Sequence, residues 1–154
     1  MGFLLLEGGS EFGGRMRDPD VRALELAGGF NSPLRIVPAA ASPDRNHVHA
    51  GGFGVRWFES LGATDVASLP LIDKASANDE AIAKSLREAK LIYLLGGFTH
   101  YLGQTLKDSL AWIEGFVGVL KNHLHLAANR EFGFAFEFFD DIFAIEVNAA
   151  FSRD

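Results

Sequence analysis

The sequence contains no cysteine. That removes disulfides, thiolate nucleophiles and cysteine-type zinc sites together. Basic residues are not in excess. Lys and Arg number 14 against 20 Asp and Glu, a formal net charge of −6. Nucleic acid and anionic membranes are bound through clustered Lys and Arg, so neither is expected as a partner. No apolar run is long enough to cross a bilayer. The opening "MGFLLLEGGSEFGG" is apolar, but it lacks a basic leading segment and meets an acid at Glu7. It therefore reads as a first strand and not as a signal peptide. Gly2 follows Met1, yet Leu6 stands where a myristoylation signal has Ser or Thr. A cytoplasmic location is the expectation. No internal repeat is evident.

What is present is a chain of 154 residues, 48% apolar and 22% charged, which suits one soluble domain with a core. Four apolar runs close on small or turn-forming residues and read as buried parallel strands: 3–9, 34–40, 65–72 and 91–97. Helical patterns lie between them. Residues 17–28 have Asp18 and Pro19 as start signals and Gly28-Gly29 as a stop. Residues 47–62 place Phe53, Trp57, Phe58 and Leu61 on roughly one face and stop at Gly62. Residues 77–89 offer Asn78 or Asp79 as N-cap. Residues 99–120 carry a stripe of Leu102, Leu106, Leu110, Ile113, Val117 and Leu120. Trp57 and Trp112 fall on apolar faces and read as core.

Alternating strands and helices predict right-handed crossovers. The fold class is α/β: a doubly wound parallel sheet of four or five strands, Rossmann-like and three-layered (αβα), with an irregular C-terminal extension. Ligands of such sheets meet the loops after the carboxyl ends of the strands. Those loops are "GGSEFGGR", "PAAASPDRN", "LIDKASAND" and "GGFTHY", all rich in small and polar residues.

The composition changes near residue 115. Eight of the 14 phenylalanines fall in residues 116–151, and Phe132, Phe134, Phe136 and Phe138 alternate with smaller or polar residues. The pattern reads as a β-hairpin, or as a strand followed by a short tail. We divide the chain into an α/β domain over 1–120 and a divergent Phe-rich segment over 121–154. Exposed, that segment would pair with a second copy, giving a homodimer, or aggregate; paired with the fourth strand, it would replace the missing fifth and cover that sheet edge.

The stretches "GGSEFGGRM", "VPAAASPDRN", "GVRWFESLGATDV", "IDKASANDEAIAKSLREAKLIYLLGGFTHYL" and "TLKDSLAW" resemble the N-terminal half of the cyanophycinase-like serine peptidases. That family is similar to aspartyl dipeptidase and sits among the class I glutamine amidotransferase-like folds. The resemblance runs from residue 3 to about 114. It implies hydrolysis of small or acidic peptides by a serine on a Gly-x-Ser-Ala-Gly elbow, with a histidine and an acid later in the chain. The elbow matters because a tight strand-to-helix turn lifts the hydroxyl toward the imidazole and the oxyanion donors.

At the place of the elbow this chain reads "LAANREFG" (126–133), with Arg130 about where the serine belongs. None of the nine serines lies in a Gly-x-Ser-x-Gly pattern. No catalytic residue is therefore assigned, and the chain is expected to be an inactive homologue. A truncation or frame change in the source gene would produce such a tail, and an intact elbow in the neighbouring DNA would support that origin. The other reading is a non-catalytic module that uses the strand-end loops or the Phe-rich tail to hold a partner.

The candidate ligand residues are Gly96, Gly97, Gly9, Ser10, Glu11 and His100. The amides of Gly96 and Gly97 end a strand and lead into a helix, which suits an acyl oxygen; a tight turn is the plainer use of the same glycines. Gly8, Gly9 and Ser10 do not follow the G-x-G-x-x-G order of a dinucleotide loop. Glu11 reads as a hydrogen-bonding partner that fixes the loops. His100 stands beside the glycines, where it can touch a ligand. His47 with His49 and His123 with His125 have metal-like spacing on a strand, but no third ligand is identifiable. No cofactor or metal is assigned. "DKASANDE" (73–80) reads as a solvated loop and helix cap. A small peptide or carboxylate is the expected ligand.

Overall fold

The computed structural model describes residue 5 and residues 11–116. Three strands form a parallel sheet: β1 (Leu34–Val37), β2 (Val66–Ser68) and β3 (Leu91–Leu94), in the order β2-β1-β3. Leu34 lies opposite Val66 on one side and Leu91 on the other. Among the described residues four α-helices accompany them: α1 (Arg17–Leu26), α2 (His47–Ser60), α3 (Glu80–Glu88) and α4 (Thr99–Leu106). A π-helical turn follows at Ala111–Phe116. No helix among the described residues is long and apolar enough to cross a membrane.

The two-residue period of the strands builds the layers. Leu34 and Ile36 of β1 and Leu91 and Tyr93 of β3 join one core with Leu24, Phe58 and Leu61 from the α1 and α2 side. Val37 of β1 and Ile92 and Leu94 of β3 join a second core with Ile82, Leu86, Leu102, Leu106, Trp112 and Phe116. The sheet is thus covered on both faces, the doubly wound arrangement that the alternating pattern predicted. Arg35 extends from β1 to Asp65 and to Ser85 of α3, at 2.7 and 3.2 Å.

Each strand is shorter than the apolar run suggested. Past Val37 the chain meets Pro38, which has no N–H for the ladder, and Ala39–Ala41 wind into a 3₁₀ turn. β2 ends before Leu69-Pro70, although the Leu69 amide still reaches Ile36 O at 2.9 Å. β3 ends before the glycines, with the Leu95 amide on Val37 O at 3.1 Å. The strand expected over 3–9 and the Phe-rich segment over 121–154 lie outside the described residues, except Leu5, which is in no helix or strand.

α1 stops where expected, with Gly28 and Gly29 at φ 108° and 102°. α3 starts at the second of its two expected caps: Asp79 accepts from the Ala81 and Ile82 amides at 2.8 and 3.1 Å. Two helical expectations need correction. The expected face of α2 holds only in part: Phe58 and Leu61 enter the core and Trp57 packs against it, but Phe53 does not. Phe58 is fully buried but Phe53 is 45% exposed, and Gly51 and Gly54 are the other buried positions. The small residues let the helix approach the sheet closely. A Cβ on Gly54 would lie 2.8 Å from Phe12 Cζ and 2.9 Å from Ile36 Cδ1.

The stripe over 99–120 is not one helix either. α4 ends at Leu106, Asp108 takes φ 53°, and Ser109 starts a new turn by accepting the Trp112 amide at 3.2 Å. The break carries Ile113 to the surface, 45% exposed, and buries Ala111, Trp112 and Phe116 instead.

Candidate functional site

The carboxyl ends of the three strands gather the site. Parallel strands all deliver their loops to this one edge, and here the loops are tied together. The Phe98 amide donates to Ala40 O of the loop after β1, at 2.8 Å. Tyr101 of α4 donates its hydroxyl to Ile72 O of the loop after β2, at 3.0 Å.

Gly97 shows why this edge needs a glycine. Its φ is 132°, and a Cβ would sit 2.6 Å from Ala40 O. That neighbour is backbone, so the close approach of the two loops forbids any side chain. Gly96 serves a different purpose. Its amide donates to Oε1 of Glu11 at 2.7 Å, from 85 residues away in the chain. The expectation that the Gly96 amide stands open for a ligand is therefore corrected: a carboxylate of the same chain already holds it.

Glu11 is placed by its neighbour. Phe12 is 8% exposed and takes φ 58°, a left-handed conformation rare for a bulky residue. Its ring meets Tyr93 at 5.3 Å and Phe58 at 6.3 Å between centroids. The turn sends the ring into the core and the preceding carboxylate to the strand end.

Beside Gly97 opens a shallow hollow of about 440 Å³, lined by Pro43, Phe98, Thr99, His100, Tyr101 and Gln104. The hollow sits over the start of α4. Phe98 supplies no capping side chain there, so the first-turn amides of that helix lack a side-chain cap. Such an edge favours an oxygen that carries negative charge. His100 is exposed, and its Nε2 lies 3.0 Å from Nε2 of Gln104. Gln104 was missed from the sequence, although the i, i+4 spacing from His100 marks the two as helical neighbours. Pro43 comes from the loop after β1, one of the four strand-end loops that the sequence singled out, although the residue itself was not.

Gly9 and Ser10 lie outside the described residues. His47 and His49 open α2, where a two-residue spacing separates the rings, and no cluster of metal-binding side chains occurs among the described residues. Several serines have structural tasks. Ser76 caps a turn: its amide and hydroxyl donate to Asp73 Oδ1, both at 2.8 Å. Those bonds, the amide first and then the hydroxyl, hold the Asp73 carboxyl below its ordinary 3.8. Ser60 and Ser109 donate their hydroxyls to carbonyls one turn back, at 2.6 and 2.7 Å. Among the described residues no serine hydroxyl is hydrogen-bonded to a histidine.

No family model matches the chain. No curated protein matches it either. Among solved structures it is similar to a peptidase from an acI-B1 Actinobacterium, with 23% identity and a TM-score of 0.65 over 73% of this chain. The chain spans about half the length of that protein, 47% of it. The likeness establishes a fold shared with a peptidase.

Proposed function

We propose that the chain is a homologue of the cyanophycinase-like serine peptidases that holds a small peptide or carboxylate at the carboxyl edge of its sheet without cleaving it. One observation carries this reading: the site pairs a donor-rich strand end with no serine hydroxyl held by a histidine among the described residues. Gly97 and the uncapped first turn of α4 line the hollow, beside His100 and Gln104. These groups suit a carbonyl or carboxylate oxygen. A general base needs a nucleophile to serve, and His100 faces Gln104 instead. The sequence contains no Gly-x-Ser-x-Gly elbow, and Arg130 stands near its place. The shared fold with a peptidase supports the family reading.

The test is incubation of the purified chain with an aspartyl dipeptide and with cyanophycin, alongside a serine-reactive phosphonate. We expect saturable binding of the dipeptide, no turnover and no labelled serine. Turnover with labelling of any serine would overturn the assignment of an inactive homologue.

A further inference from the structure

We propose that Glu11 is the resident occupant of the Gly96 amide, and that a ligand carboxylate or acyl oxygen reaches this amide only when Glu11 withdraws. The proposal rests on the reading that ligands enter beside Gly97. Three features converge on the contact. The N···O distance of 2.7 Å is that of a charge-assisted hydrogen bond. Gly96 has no side chain where one would intrude: a Cβ there would press on Oε1 and lie 3.4 Å from the carboxyl carbon. Phe12 holds a disfavoured backbone conformation that sets the preceding carboxylate at the strand end.

The contact lies at the exposed rim of the sheet, one residue from the wall of the hollow. A ligand oxygen that reaches from the hollow past Gly97 competes with the Glu11 carboxylate for this donor. Their competition follows two-state arithmetic. If Glu11 covers the amide nine-tenths of the time, the apparent affinity of a ligand that needs it falls about tenfold. Glu11 thus acts as an internal plug, and its removal opens the site.

Backbone amide NMR of the full chain tests this, with aspartyl-leucine and acetate as probes in the native protein, Glu11→Ala and Glu11→Gln. We expect the native Gly96 resonance to move only at about tenfold higher probe concentration than in Glu11→Ala. In Glu11→Ala it should move, with affinity about tenfold tighter. Glu11→Gln keeps an acceptor oxygen without the charge and should fall between; it decides the matter if the alanine variant fails to fold. A Gly96 resonance that moves equally in all forms, or in none, overturns the proposal. The amides of Thr99 and His100 report separately: if they stay still in every form, the hollow is not the entry, whatever Gly96 does.

Discussion

Trp57 donates its indole N–H across two helices to Oδ2 of Asp20, at 2.7 Å, and Asp20 is 1% exposed. The bond fastens α1 to α2 over the core that contains Leu24 and Phe58. A buried carboxylate that loses a donor bears a desolvation cost larger than the mean value of a hydrogen bond. We expect Trp57→Phe, which keeps a ring in place, to destabilise the fold by about 1–3 kcal/mol. Urea denaturation checks the shift. A change under about 0.3 kcal/mol would mean the bond adds nothing beyond packing.

The two strand-end glycines should respond differently to alanine. At Gly97 the obstacle is the Ala40 carbonyl, and φ is 132°. At Gly96 it is the end of the Glu11 side chain, which can swing away. We expect Gly97→Ala to cost about 1–3 kcal/mol and Gly96→Ala less. Thermal unfolding of both variants gives the order, and a reversed order would contradict the geometry.

Stability should depend on Asp73 in acid. Its carboxyl is held below 3.8 in the folded chain by Ser76. A depressed folded value means the contribution is present above about pH 4 and is lost as the pH falls through the folded value. Ser76→Ala removes the hydroxyl bond but keeps the amide bond, the larger cause, and should flatten this part of the profile only in part. Urea midpoints between about pH 2 and pH 5 measure it. An unchanged slope in Ser76→Ala would show that the Ser76 hydroxyl is not a cause.

Gly54→Ala sets two effects against each other. Alanine gains about 1 kcal/mol of helix propensity over glycine. The added Cβ would sit 2.8 Å from Phe12 and 2.9 Å from Ile36, both packed in the core. Overpacking of this kind costs about 1–3 kcal/mol. We expect the net change to be destabilising, read as a lower urea midpoint; a stabilised variant would show that α2 can lift from the sheet freely.

The layers, the caps and the strand-end glycines were legible because each is local. Leu34, Ile36 and Val37 alternate or cluster within four residues, and Asp79 lies within one turn of the amides it caps. The break at Asp108 was less legible. Leu102, Leu106 and Leu110 keep helical spacing across it, and only Ser109 hints at a second start. The packing of α2 through glycines was hidden for a related reason: a hydrophobic pattern counts large side chains, whereas close approach depends on their absence.

By itself, the sequence determined a parallel α/β sheet covered on both faces, since hydrophobic period and turn chemistry act between near neighbours. It also determined the lack of a serine elbow, which is a matter of composition and order alone. Only the tertiary structure decided that Glu11 covers Gly96 and that Ala40 leaves no room at Gly97. Those contacts join residues far apart in the chain, and no local pattern carries a distance that the whole fold must close.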